Sequence, residues 1–202
     1  AAHCQTVGAA MARMHLCLAD YPSAPQQMVS SRRATFVATF AAELSSDDSA
    51  LADSVLQQRD LEFECELPGG LIHADLFRDN ALFEGDTLSG VIDFYYAHRG
   101  PWIYDLAVTL CDWCYMPGKD FDLKLAQALL NGYQSVRKLK HEERASLTDA
   151  VEAAAARFWF SRLKDQCCPR SGTLTQIKDP TPFRELLIWS RQHHNSLVAA
   201  LG

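Results

Sequence analysis

The 202-residue sequence contains no apolar run near the ~20 residues needed to span a bilayer. Its opening, AAHCQTVGAAMARMHLCL, has neither a basic head nor an unbroken apolar stretch, so it does not read as a secretory signal. The expectation is a cytoplasmic protein with no membrane association. No run of five basic residues occurs; RKLKHEER comes nearest and carries acids. With a net charge of −6, no nucleic-acid partner is expected, because such binding rests on many phosphate contacts. Also missing are G-x-G-x-x-G and G-x-x-x-x-G-K-[ST], the loops that cradle phosphates with backbone amides. LPGGL is too short to replace them. No internal repeat or low-complexity tract is visible. There is no initiator Met and no lead-in strand, which reads as a fragment or a processed chain.

Cysteine is not scarce, but its pattern lacks a purpose. The seven cysteines are odd in number and irregularly spaced, and CDWC (Cys111, Cys114) is the only C-x-x-C. No second pair follows at zinc spacing. The reading is structural thiols in a reducing compartment.

What is present is mostly helical periodicity. Val7, Met11, Met14 and Leu18 recur at helical spacing. SSRRATFVATFAAEL reads as a helix with Phe36 and Phe40 on one face. DDSALADSVLQQRDLEFE reads as another, its acidic start suited to the helix dipole. PGG at 68–70 breaks the pattern. Short apolar pieces follow, LIH, NALFEG and LSGVIDFYY, and EGDTLSG looks like a hairpin connection. Helix returns from Trp102. IYDLAVTLCDWCY is nearly all apolar, and DLKLAQALLNGYQSV puts Leu123, Ala126, Leu130 and Tyr133 on one stripe. EERASLTDAVEAAAARFWFSRL runs Leu147, Val151, Ala154 and Phe158. DQCCPRSGTLTQIKDPTP reads as a polar loop. PFRELLIWSRQHHNSLVAAL reads as a final helix with Phe183, Leu186, Leu187, Ser190 and Leu197 inward. The expected fold class is α+β, mainly helical, with a small β-hairpin region over 70–95.

Polar chemistry concentrates in that hairpin region. HADLFRDN sets Asp75 and Asn80 five apart, and Asp93 ends an apolar strand 18 residues after Asp75. A catalytic Asp, four intervening residues, an Asn and a later strand-borne Asp is the protein-kinase arrangement. The chemistry explains the spacing. One carboxylate accepts the proton of an attacking hydroxyl. A carboxamide oxygen and a second carboxylate hold Mg²⁺, whose remaining positions go to phosphates and water.

LIHADLFRDNALFEGDTLSGVIDFYYA followed by YDLAVTL resembles the aminoglycoside phosphotransferase and choline kinase superfamily. Its members share a protein-kinase-like fold and phosphorylate small-molecule hydroxyls or amines. Within it, HADLFRDN, IDFYYA, YDLA, RFWFSRL and KDPTPFRELL, in that order, are similar to the bacterial homoserine kinases of threonine biosynthesis. The likeness runs from about residue 3 to the C-terminus. It implies ATP and Mg²⁺ as cofactors and homoserine as the small-molecule substrate. It implies Asp75 as catalytic base, His73 as a residue ordering the catalytic loop, Asn80 and Asp93 as metal ligands, and buried Asp105 as a brace of that loop. Other acceptors, of the aminoglycoside or choline type, remain open, as does a non-catalytic binding or assembly module.

A carboxylate-bearing acceptor calls for arginine, whose planar fork binds two oxygens. Arg99, Arg157 and Arg162 are the candidates, and Tyr95 is placed to line the acceptor pocket. Trp159 reads as core, and His193 and His194 as solvated. A kinase of this superfamily also needs a small N-terminal lobe with the phosphate-covering loop, a strand Lys and its Glu partner. Nothing in the sequence matches them. The expectation is therefore a C-terminal lobe over 1–202, inactive without its N-terminal nucleotide-binding lobe.

Overall fold

The computed structural model describes residues 1–22, 37–57, 67–168 and 178–199. Helix α1 (Ala2–Cys17) buries Cys4, Val7, Gly8, Met11, Ala12 and His15. Its buried stripe thus ends on a histidine, with Met14 only half-buried. The helix expected over 30–44 lies largely outside the described residues; its visible end is a 3₁₀ turn, Ala41–Glu43, after a buried Phe40. Helix α2 (Ser46–Leu56) starts where Ser45 accepts the Asp48 N–H at 3.2 Å, with Asp47 and Asp48 in the first turn. The QQRDLEFE part of that expected helix falls outside the described residues beyond Gln57.

Two small antiparallel sheets follow. Strand β1 (Gly69–Ile72) pairs with β4 (His98–Pro101), Gly69 opposite Pro101 and Ile72 opposite His98. The PGG stretch therefore does not simply interrupt structure: its two glycines enter a strand whose backbone closely approaches its partner. Strands β2 (Ala81–Glu84) and β3 (Thr87–Val91) form the expected hairpin, turning at Gly85–Asp86 with a register shift at Leu82/Phe83.

Helix α3 (Trp102–Trp113) is buried along almost its whole length. Helix α4 (Leu123–Val136) is capped by Asp122, which accepts the Lys124 and Leu125 N–H groups. Ala126, Leu130 and Tyr133 are buried, but Leu123, the first helical residue, is 38% exposed. The helix expected over EERASLTDAVEAAAARFWFSRL is two, α5 (His141–Ala145) and α6 (Leu147–Cys167), parted at Ser146. The last helix is likewise divided at His193 into α7 (Thr181–Gln192) and α8 (His194–Ala199). Phe183, Leu186, Leu187, Ser190 and Leu197 are all buried, as their spacing predicts. The loop expected over 165–182 is shorter, since α6 continues through Cys167; residues 169–177 lie outside the described residues.

The core forms where α1 packs on α4, α3 on α6, and α6 on α7. The α1–α4 contact is very close. A Cβ on Gly8 would overlap the Leu129 carbonyl oxygen, and one on Gly132 would overlap that of Gln5. Only glycine admits this approach. Among the described residues no helix is long and apolar enough to cross a membrane.

Candidate active site

The segment 73–80 joins β1 to β2, and most of its backbone polar groups have a partner, as burial requires. Helix α3 supplies three of these partners. The Asp105 carboxylate accepts the His73 N–H at 2.9 Å and the Ala74 N–H at 2.7 Å. Two turns on, Asp112 accepts the Arg78 N–H at 2.7 Å and pairs with its guanidinium at 3.0 Å. Trp113 donates its indole N–H to the Leu76 carbonyl at 3.1 Å. From α6, Arg157 donates to the Ala74 carbonyl at 2.7 Å. The loop is thus stretched along α3 and pinned at both ends.

His73 is fully buried and uses both ring nitrogens. Its Nδ1 accepts the Asp75 N–H at 3.2 Å, which leaves Nε2–H to donate to the Ile92 carbonyl at 2.9 Å. One ring therefore ties the loop to the residue preceding Asp93. The Ile92 N–H donates in turn to the Asn80 carbonyl at 3.0 Å.

Asp105 is fully buried. Burial pushes its carboxyl up, but the His15 hydrogen bond and charge and the two loop N–H groups outweigh it and hold it below the usual range. The His15 contact is one end of a buried chain. His15 Nε2 donates to Asp105 at 2.9 Å, and its Nδ1 lies 2.9 Å from the Tyr133 hydroxyl. Arg137 donates to that hydroxyl at 3.3 Å and to Glu143 at 2.9 Å, with its guanidinium 4.4 Å over the Trp102 ring. Burial pushes the Tyr133 phenol up, so it keeps its proton. The chain runs from the loop brace through α1 and α4 to α5. Sequence reasoning missed His15, Asp112, Trp113 and Tyr133. The one usable signal was Asp112, seven residues from Asp105 and therefore on the same helix face.

Asp75 is half-buried, and its carboxyl is raised from 3.8 to about 6. Burial is the main cause; Arg157 and His73 oppose it, and the charges of Asp79 and Asp93 add to it. Asn80 donates its amide to the Asp75 carbonyl at 2.8 Å and lies 3.5 Å from the Asp75 carboxylate. That use of the nitrogen leaves the carboxamide oxygen as the group able to ligate a cation. Asp93 is exposed and left-handed, with φ 63° and ψ 60°. Among the described residues only Ala74 and Asp93 are non-glycines with positive φ, and both lie in this site. Such backbone persists where the surroundings over-determine it, as the hydrogen bonds on both sides of Ala74 do.

The remaining expected residues are dispersed. Tyr95 is 83% exposed, beside half-exposed Phe94 and Tyr96. Arg99 donates to the Tyr21 carbonyl at 3.0 Å. From α6, Arg157 reaches the loop, whereas Arg162 donates to the Asp179 carbonyl at 2.8 Å. Trp159 is buried, and His193 and His194 are exposed. Cys111 and Cys114 are buried thiols pushed up by burial.

A helical body carrying a hairpin, with an Asp–Asn loop braced by a buried helix Asp, defines a protein-kinase-like phosphotransferase lobe. The chain belongs to the phosphotransferase enzyme family, which residues 1–139 match. It is similar to the homoserine kinase of Neisseria meningitidis serogroup B, 42% identical over 192 residues, or 93% of this chain and 62% of that protein. It is also similar to that of Methylobacterium radiotolerans, 41% identical over 197 residues, 95% and 61% of the two chains. The chain thus spans about three fifths of the length of the curated relatives it matches. Among solved structures, an amicoumacin kinase in complex with AMP-PNP, Ca²⁺ and Ami superposes with a TM-score of 0.62 at 17% identity, over 95% of this chain and 58% of that one. An aminoglycoside phosphotransferase from Alicyclobacillus acidocaldarius gives 0.53 at 17% identity, over 99% and 64%. At these identities the superpositions speak for the fold alone.

Proposed function

We propose that the chain is part of a homoserine kinase, transferring the γ-phosphoryl group of ATP to the side-chain hydroxyl of homoserine in threonine biosynthesis. The observation that carries this reading is identity of about 40% to homoserine kinases across more than nine tenths of the chain, far beyond the catalytic loop. In this reading Asp75 accepts the proton of the attacking hydroxyl. A carboxyl near 6 suits the task, because a base works best when its pKa lies close to the working pH. His73 and Asp105 fix the loop backbone so that Asp75 need not reorganise during transfer. The donor set fits Mg²⁺: a carboxamide oxygen on Asn80, freed by the use of its nitrogen, and the exposed carboxylate of Asp93, both hard ligands. When bound, Mg²⁺ would neutralise charge on the ATP phosphates. Residues outside these 202 would supply the phosphate-covering loop and its lysine. The relatives' greater length supports this. Six described cysteines are free thiols, which supports a reducing, cytoplasmic location.

The test is ADP release by the full-length protein with homoserine, an aminoglycoside, choline and a simple alcohol. Homoserine should be preferred by orders of magnitude in kcat/KM. Preference for another acceptor would replace homoserine in this reading. No Mg-dependent turnover with any acceptor would favour a non-catalytic module.

A further inference from the structure

Three arginines are chemically able to hold an acceptor's carboxylate, and the structure separates them. Arg99 is turned to the Tyr21 carbonyl. Arg157 is committed to the Ala74 carbonyl, its guanidinium 5.4 Å over the Tyr96 ring and 4.9 Å over the Phe158 ring. Its task is the loop backbone.

Arg162 is placed differently. Its guanidinium lies 4.4 Å over the Phe183 ring, which stacks on Phe158 at 5.2 Å and on Phe77 at 6.0 Å. Phe77 belongs to the catalytic loop, two residues after Asp75. Arg162 thus sits on an aromatic platform that the loop itself completes. Of its donors, one is used, on the Asp179 carbonyl. Among the described residues it meets no carboxylate within ion-pair distance. Neighbouring acids are answered by other cations: Asp112 by Arg78 at 3.0 Å and Asp79 by Lys178 at 3.4 Å. Burial pushes the Arg162 guanidinium below its ordinary value, against the pull of Asp112, Asp179, Asp79 and Asp75. A half-desolvated cation with an open fork, over the ring that stacks on Phe77 of the loop, suits an anionic group brought by the acceptor.

We infer that Arg162 binds the carboxylate of the acceptor, and thereby selects a hydroxy amino acid over an alcohol that lacks one. This rests on the phosphotransferase reading of the loop and adds the group that recognises the acceptor.

The experiment uses the full-length protein, Arg162→Ala and Arg162→Lys. Acceptors are homoserine and 3-amino-1-propanol, which is homoserine without its carboxylate. In Arg162→Ala the KM for homoserine should rise at least ~30-fold, as loss of one partner of a buried charged pair predicts. The KM for ATP and the kcat/KM for 3-amino-1-propanol should stay within a few-fold. Arg162→Lys should recover part of the loss, since an ammonium keeps the charge but not the fork. An unchanged KM for homoserine overturns the clamp. An equal fall for both acceptors also overturns it, because that marks structural damage. Equilibrium binding of homoserine separates the two readings. Binding without phosphorylation, lost in Arg162→Ala, keeps the clamp and overturns the kinase reading. Phosphorylation by wild type with unaltered binding in the variant does the reverse. No binding by wild type overturns both.

Discussion

Asp75 carries opposed demands. Under the proposed function, transfer needs its carboxylate ionised, yet burial favours the neutral acid and raises it to about 6. In the full-length enzyme, kcat/KM for the acceptor should fall away below about pH 6 as this group takes up its proton. A profile flat to pH 5 would remove Asp75 as base. The same shift has a stability consequence. The folded group binds its proton more tightly than the unfolded one, so its ionisation destabilises the fold as pH rises from about 4 to about 6, and fully above that. Asp75→Asn should therefore cut turnover by about 10²–10⁴-fold while raising Tm at pH 7.5 by about 2–4 °C. The gain should vanish near pH 4. A Tm that falls at pH 7.5 would mean that the carboxylate is better satisfied than its burial implies. Spacing alone singled out Asp75, Asn80 and Asp93 as candidates, because kinase-type chemistry would fix the order of its oxygens along the chain. Spacing could not tell the arginines apart, since each owes its partner to a segment distant in sequence: Tyr21 for Arg99, Ala74 for Arg157, Asp179 for Arg162.

At the level of elements, α3 acts as a ruler for the 73–80 loop, with Asp105 at one end and Asp112 and Trp113 at the other. Asp105→Asn removes charge from a carboxylate that answers three donors. Stability should drop by about 1–3 kcal/mol at pH 7, and the His73 and Ala74 amides should exchange faster with solvent. Because Asp105 is held below its ordinary 3.8, its contribution is complete above that value and fades as pH falls further. The gap between variant and wild type should narrow in the same range. Exchange rates equal to wild type would deny the brace. The brace depends in turn on how α1 and α4 meet. Gly132 lets α1 lie against α4, which sets His15 beside Tyr133. Gly132→Ala sets a methyl group against backbone, so about 1–3 kcal/mol of destabilisation is expected, with faster exchange at His73. A wild-type Tm would show that α1 and α4 can move apart freely. None of this was legible from periodicity. His15 occupies a stripe position that reads as apolar, and the breaks at Ser146 and His193 carry no glycine or proline to announce them.

For the molecule as a whole, His73, Ala74, Leu76 and Phe77 of the loop are built into the core, while Asp93 stands on an exposed face with Ile92, Phe94, Tyr95 and Tyr96. The broad class was readable because helical stripes and a Gly-turned hairpin are local patterns; which helices meet was not, since that depends on close contacts such as Gly8 on Leu129. Under the proposed function, that exposed face receives nucleotide held chiefly by residues beyond this chain. Metal-dependent and metal-independent parts of nucleotide binding should then separate. Asp93 holds a left-handed backbone that glycine adopts without strain. Asp93→Gly in the full-length protein should be at least as stable as wild type, with a gain of up to about 1 kcal/mol. It should bind ATP in EDTA as wild type does, yet lose the tightening that Mg²⁺ brings and, with it, turnover. Unaltered Mg-dependent binding would remove Asp93 from the metal site. A large fall in stability would show that the carboxylate, not the site's chemistry, imposes the backbone. Stability gained where function is lost would identify Asp93 as a residue kept strained for its ligand.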